Sequence, residues 1–173
     1  MNCSSRSKNV PPGRGKNLYP IWGPRSDVRF KQVDISGKQV IYREATATGR
    51  IVLKRSTCAR IRRGTLEKGD PLALASTTAI LAVKATPAIV ALAHPLKVEM
   101  TEPEVRLGDG WVDVTVTVAA HEKTGVEMEA LTAVSVALLN VWDVVKSCEK
   151  DSAGQYPATR IESIRVTSKV KRK

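Results

Sequence analysis

The run KVEMTEPEV at residues 97–105, followed by GDG at 108–110 and WVDVTVTV at 111–118, decides how this chain folds. Val112, Val114, Val116 and Val118 alternate with Asp113, Thr115 and Thr117, the period of a strand with one buried and one wet face. Gly108-Asp109-Gly110 is a turn signal, so 97–105 and 111–118 read as a paired hairpin. Downstream the period changes. Leu131, Val134, Leu138, Val141, Trp142 and Val145 recur at helical spacing and predict an amphipathic helix over 129–148. After a loop from Asp151 to Pro157, the loose alternation of Ile161, Ile164 and Val166 predicts a last strand from Arg160 to about Lys169.

Upstream of the hairpin, Val33 to Arg43 opens the ordered part, with a turn at Gly37-Lys38. Residues 49–55, GRIVLKR, read as a short strand. Ser56 or Thr57 is suited to cap a helix from Cys58 to about Arg63, and Gly64 suits its left-handed end. Asp70 and Pro71 suit the N-cap and first position of a second helix, Ala-rich and running to about Ala85, which Pro87 stops from continuing. Strands and helices mixed with hairpin connections give an α+β fold with an antiparallel sheet.

The 173 residues are 42% hydrophobic, 26% charged and 4% aromatic, which excludes collagen, coiled coil and wholesale disorder and fits a single core. Residues 1–26 are rich in Ser, Asn, Gly, Pro and basic side chains and read as a flexible basic extension, with Tyr19 to Trp22 its only apolar patch. Residues 27–173 read as one domain with a basic C-terminal tail. Of the net charge of +11, residues 1–26 and 160–173 each hold +5, so the middle is close to neutral. The two ends are either solvated tails or phosphate-attracting arms. Cys3, Cys58 and Cys148 form no CxxC and match no zinc spacing, which argues against a disulfide framework and a metal site. The apolar stretches around Ala79–Val83 and Ala88–Ala93 are split by Lys84 and Pro87 and read as too short for a bilayer. With no apolar signal core near Met1, a cytoplasmic protein is the simplest expectation.

Several residues are candidates for chemistry. Glu127 and Glu129 are one residue apart ahead of the long helix. In an extended stretch they would share a face and accept bonds from a heterocycle's N–H groups; at a helix start they would simply complement the dipole. Asp143 and Lys146 are spaced for one helix face, as a surface ion pair or an acid/base couple. Lys68, beside the Asp70 cap, with Arg43 could present positive charge at that helix start. His94 follows an apolar run, and His121 is the only other histidine. No P-loop, GxGxxG or GxSxG motif occurs.

Taken together, these residues resemble the molybdenum cofactor biosynthesis protein C family, the cyclic pyranopterin monophosphate synthases. The matching blocks are Val33-Asp-Ile-Ser-Gly-Lys38, Arg43-Glu-Ala-Thr-Ala47, Lys68-Gly-Asp70, His94-Pro-Leu96 and Lys123-Thr-Gly-Val-Glu-Met-Glu-Ala-Leu-Thr-Ala133, continuing through Ser135 to Asp143 and Lys146. Glu-Met-Glu at 127–129 is the specific part. The resemblance implies a ferredoxin-like sheet with helices packed on one face, and a hexamer built of dimers with active sites at subunit interfaces. It implies conversion of a cyclised dihydro-GTP triphosphate to cyclic pyranopterin monophosphate with release of pyrophosphate. Lys68, Asp143 and Lys146 are then the catalytic candidates, a lysine crowded by cations having a lowered pKa. Arg43, His94, Glu127, Met128, Glu129 and Lys169 are the substrate-binding candidates, with Met128 packing between the two glutamates. No cofactor is required; magnesium could accompany the triphosphate. Neither a membrane nor nucleic acid is an expected partner. The chain departs from the family pattern at Ala93, where Cys is frequent, in the helix after Asp70, and at the C-terminus, where Lys169 matches but a Gly-Gly pair is missing. Two alternatives stay open: a nucleic-acid-binding module with basic tails, and a family member that has lost its activity.

Overall fold

The alternation at residues 111–118 does what its period requires. In a computed structural model, which describes residues 30–173, Trp111–Glu122 is a strand (β3) whose valines are fully buried. It pairs antiparallel with Met100–Leu107 (β2), Val112 opposite Leu107, across the Gly108–Gly110 turn, where Gly110 takes φ of 100°. On its other side β3 pairs antiparallel with a 12-residue strand, Ile41–Val52 (β1). The strand expected at 49–55 thus starts much earlier and stops at Val52. Ala45, Ala47, Gly49 and Ile51 face the core while Thr46, Thr48 and Arg50 between them are half-exposed; small side chains hid this period from an apolar count.

β1 also pairs antiparallel with Arg160–Arg172 (β4), so the sheet order is β2-β3-β1-β4. The last strand expected from Arg160 to about Lys169 is present and runs on through the basic tail to Arg172. The other elements are α1 (Arg55–Arg63), α2 (Pro71–Ile89) and α3 (Glu127–Glu149). With α1 and α2 between β1 and β2, and α3 between β3 and β4, the order and pairing are those of a ferredoxin-like α+β sheet. Lys31–Lys173 forms one compact unit. The expectation of a flexible extension over 1–26, including Tyr19 to Trp22, falls outside the described residues.

The core lies between one sheet face and α3. Val134, Ala137, Leu138 and Val141 pack on Ala47, Ile51, Val114 and Val116, all essentially inaccessible. Gly49 makes this close approach possible. A Cβ there would lie 2.8 Å from Val134 Cγ1 and 2.9 Å from Leu138 Cδ1 and Ile164 Cγ1. Opposite Gly49 the β1–β4 register shifts, and Ser163 takes φ of 58°, a conformation costly for a residue with a Cβ. The other sheet face carries hydroxyl and charge pairs instead: Thr46 to Thr117, Thr48 to Thr115, and Arg50 bidentate on Asp113 at 2.5 and 2.7 Å.

The helix ends correct three expectations. Asp70 caps α2 as expected, accepting from the Leu72 N–H at 2.8 Å. Gly64 closes α1 in the left-handed region, but neither Ser56 nor Thr57 opens it. α1 starts at Arg55, and the N–H of Lys54 is held by Glu149, a fully buried carboxylate that also accepts from the Thr159 hydroxyl. Pro87 does not stop α2, which runs to Ile89; near a helix end its missing N–H costs only one ladder bond. By length and composition α2 is therefore apolar enough to cross a membrane, contrary to the reading of the split apolar runs, and α3 is as well. Eleven of the 23 residues of α3 are buried inside the fold, and α2 packs along it.

Candidate active site

α3 carries candidate functional side chains at both ends. At its N-terminus the KTG turn delivers Lys123 and Glu127 beside β1 and β4. Arg43 Nε and Nη2 donate to the carbonyls of Glu122 and Lys123 at 3.3 and 3.2 Å, which fixes the guanidinium over this turn. Lys169, on β4, forms an ion pair with Glu127. Lys123 Nζ donates to the Ser36 carbonyl at 2.9 Å and draws the Gly37-Lys38 turn alongside. The result is a cavity of about 470 Å³ lined by Lys38, Arg43, Lys123, Lys169 and Lys171, with Glu127 and Met128 on one wall. Five cations face one carboxylate. Burial would push the Glu127 carboxyl up, but Lys169 and the Arg43 charge outweigh it and hold it below the usual range.

Glu129 does not share this cavity. Glu127 and Glu129 lie in the first turn of α3, not in an extended stretch, so residues two apart point to different sides. Glu129 is 2% exposed and lines a second cavity of about 360 Å³, with Val83, Pro87, Pro95 and Leu96. Burial pushes its carboxyl up, and Oε2 has no hydrogen-bond partner among the described residues. Met128 lines the Glu127 cavity and is 42% exposed, rather than packing between the two acids. His94 stands in the loop leading to that second cavity, its Nε2 2.8 Å from the Val33 carbonyl, while Gln32 Nε2 donates to Ala93 O at 3.0 Å.

The other end of α3 holds the candidate catalytic group. Lys68 Nζ donates to Asp143 Oδ2 at 2.6 Å and to the Asp143 carbonyl at 3.1 Å; Lys146 Nζ donates to Oδ1 at 2.7 Å. Each carboxylate oxygen is thus claimed by one lysine. The bond from Lys146, followed by that from Lys68, lowers the Asp143 carboxyl to about 2. Asp143 in turn raises Lys146, contrary to the expectation of a lysine lowered by neighbouring cations. Arg43 does not join Lys68, as the sequence suggested. Glu127 and Asp143 are separated by about 24 Å of helix at about 1.5 Å per residue. Among the described residues, no three His, Cys, Asp or Glu side chains gather to hold a metal ion.

A pH effect follows from Asp143. Its carboxyl is lower in the fold than the ordinary value of 3.8. Its contribution to stability is therefore complete above about pH 4 and lost as the pH falls through the folded value. In urea titrations, wild type is expected to exceed Asp143→Asn at pH 6, with the gap closing by pH 2. A gap that persists unchanged at pH 2 would contradict the ion-paired geometry.

The MoaC family model matches residues 32–171, which is the whole described fold apart from its ends. The chain belongs to the MoaC family. Relatives named probable cyclic pyranopterin monophosphate synthase agree: 55% identity to that of Aeropyrum pernix over 82% of this chain and 95% of the relative. For Methanoregula boonei the figures are 52%, 84% and 94%, and for Pyrococcus horikoshii 50%, 82% and 89%. In this MoaC chain the sequence named Lys171, Lys38 and Lys123 only as parts of motifs or of a tail. Their role in the cation-lined cavity was hidden because β1, β4 and two turns, distant in sequence, bring them together.

Proposed function

We propose that the chain is a cyclic pyranopterin monophosphate synthase acting in molybdenum cofactor biosynthesis, a lyase that converts a cyclised dihydro-GTP triphosphate to cyclic pyranopterin monophosphate and releases pyrophosphate. The observation that carries this reading is the pairing of a five-cation cavity with a Lys–Asp–Lys group on the same helix. Lys38, Arg43, Lys123, Lys169 and Lys171 suit a triphosphate, since fixed cations stabilise charge on departing pyrophosphate without reorganising. Glu127 holds Lys169 toward the phosphates. Asp143 stays ionised and orients both lysines; Lys146, raised by Asp143, enters the reaction as a proton donor. Glu129 and the His94 loop suit the purine-derived ring. The donor set is cationic, so magnesium enters, if at all, as the nucleotide's counter-ion.

About 24 Å of helix separates Glu127, at the phosphate cavity, from Asp143 in one chain, further than one such substrate spans. We read the working enzyme as a homo-oligomer, a hexamer built of dimers, in which one copy's cavity faces another copy's Lys–Asp–Lys group, and its location as cytoplasmic. The test is a supply of the cyclised dihydro-GTP intermediate to purified protein, with pyrophosphate and cyclic pyranopterin both quantified and the mass in solution measured. Both products from an oligomer support the proposal. A folded oligomer that yields neither product overturns the activity, and a fully active monomer overturns the shared site.

A further inference from the structure

Residues 31–39, ahead of β1, form neither helix nor strand, and all but Ile35 are exposed. Core packing does not place this segment; side-chain hydrogen bonds do. At one end Gln32 Nε2 donates to Leu92 O at 3.4 Å and to Ala93 O at 3.0 Å. Beside it the Val33 carbonyl meets His94 Nε2 at 2.8 Å. At the other end Lys123 Nζ donates to Ser36 O at 2.9 Å, and Lys38 lines the phosphate cavity. A closed turn joins the two ends: the Ser36 N–H donates to Asp34 Oδ1 at 2.8 Å and the Lys38 N–H to Ile35 O at 3.1 Å. The bonds on the 92–94 loop have only one possible direction. Two carbonyls face the Gln32 amide, so it presents its NH2 group. A carbonyl also faces His94 Nε2, so that nitrogen carries the proton and Nδ1 of the neutral ring is an acceptor.

We propose that Gln32 is a positioning residue for His94: by holding the carbonyls of Leu92 and Ala93 it seats the Val33 carbonyl on His94 Nε2, which leaves Nδ1 as the acceptor offered to a ring N–H of the substrate. Gln32 acts through His94 and does not itself touch the substrate. The substrate ring belongs to the synthase reading, on which this proposal rests; the anchor rests on the Gln32 and Val33 bonds alone. Because Lys123 holds the far end of the segment separately, loss of the Gln32 anchor disturbs His94 and leaves the phosphate cations in place.

The test uses two variants of the full-length protein. Gln32→Glu keeps the length and removes the donor; Gln32→Lys restores a donor at similar reach. Gln32 is exposed, so both are expected to fold, and thermal unfolding checks it. Hydrogen exchange read by mass spectrometry tests the anchor. The Ser36, Lys38 and Ala93 amides are each bonded, and in Gln32→Glu they are expected to exchange about threefold to tenfold faster, the value of one hydrogen bond. Kinetics on the cyclised substrate test the role. In Gln32→Glu kcat is expected to fall about tenfold to a hundredfold through misplacement of His94, with KM within about twofold of wild type. Gln32→Lys is expected to recover most of both effects. In a His94→Ala background, Gln32→Glu is expected to cost nothing further, since coupled residues are not additive. Unchanged exchange in Gln32→Glu overturns the anchor and leaves the synthase reading intact. A raised KM with kcat preserved, no recovery in Gln32→Lys, or a full further loss in the His94→Ala background overturns the route through His94. Faster exchange in Gln32→Glu, with no turnover by wild type, overturns the synthase reading and with it the substrate role of His94, while the anchor stands.

Discussion

Lys146→Ala is expected to lower kcat about a thousandfold and to leave the fold intact. The magnitude is that of one positioned proton donor, about 10² to 10⁴ in rate. The fold is spared because the Lys146 ammonium is an exposed group whose one ion pair among the described residues is with Asp143, and exposed pairs contribute little to stability. Asp143 would keep its bond from Lys68 at 2.6 Å, so the variant removes one donor without scattering the group. Steady-state kinetics on the cyclised substrate, with thermal unfolding as a control, check this. A large fall in KM affinity with kcat preserved would move Lys146 from proton transfer to binding. Lys68→Ala is expected to behave similarly. If neither variant slowed turnover, the role assignment for the Lys–Asp–Lys group would be wrong.

Gly49→Val is expected to be the most damaging single change in the core. The first added carbon would already meet Val134, Leu138 and Ile164 at 2.8 to 2.9 Å, closer than atoms in a packed interior stand. Val134 and Leu138 are fully buried on α3 and have no free space to turn into. The helix must lift or β1 must shift, at a cost of about 3 kcal/mol for overpacking of this kind. In a domain of this size that lowers Tm by roughly 6–12 °C. A differential scan reads it directly; a Tm within 2 °C of wild type would show that Ile164, at the irregular stretch of β4, yields at little cost. Because α3 carries Glu127 at one end and Asp143 at the other, the same variant is expected to lose activity below its unfolding temperature.

Much of this was legible in the sequence where a rule is local. The valine alternation in β3, the Gly-Asp-Gly turn, the Asp70 cap and the apolar spacing of α3 depend on a few consecutive residues, and all four hold. The Asp143 and Lys146 pair was likewise fixed by one helical turn. Local rules failed where neighbours from elsewhere took over. The first half of β1 is Ile-Tyr-Arg-Glu-Ala-Thr, with too few large apolar groups to register, yet β3 and β4 on either side supply its backbone partners. Neither Ser56 nor Thr57 caps α1, and the N–H of Lys54, the residue before the helix, is held by Glu149, 95 positions away. Pro87 breaks a local rule and the helix continues, because it stands near the helix end and α2 rests on α3.

The sequence by itself determined the α+β class, the family and the chemical types at the site, since periodicity and the Glu-Met-Glu block are written in consecutive residues. Only the tertiary structure decided which of those groups meet. It put Glu127 with Lys169 and Arg43, sent Glu129 to a separate cavity, and set Lys68 on Asp143 at the far end of α3. The reason is geometric. A helix turns residues two apart to different sides and carries residues sixteen apart about 24 Å away, so side chains that read as one constellation along the chain become two half-sites in space.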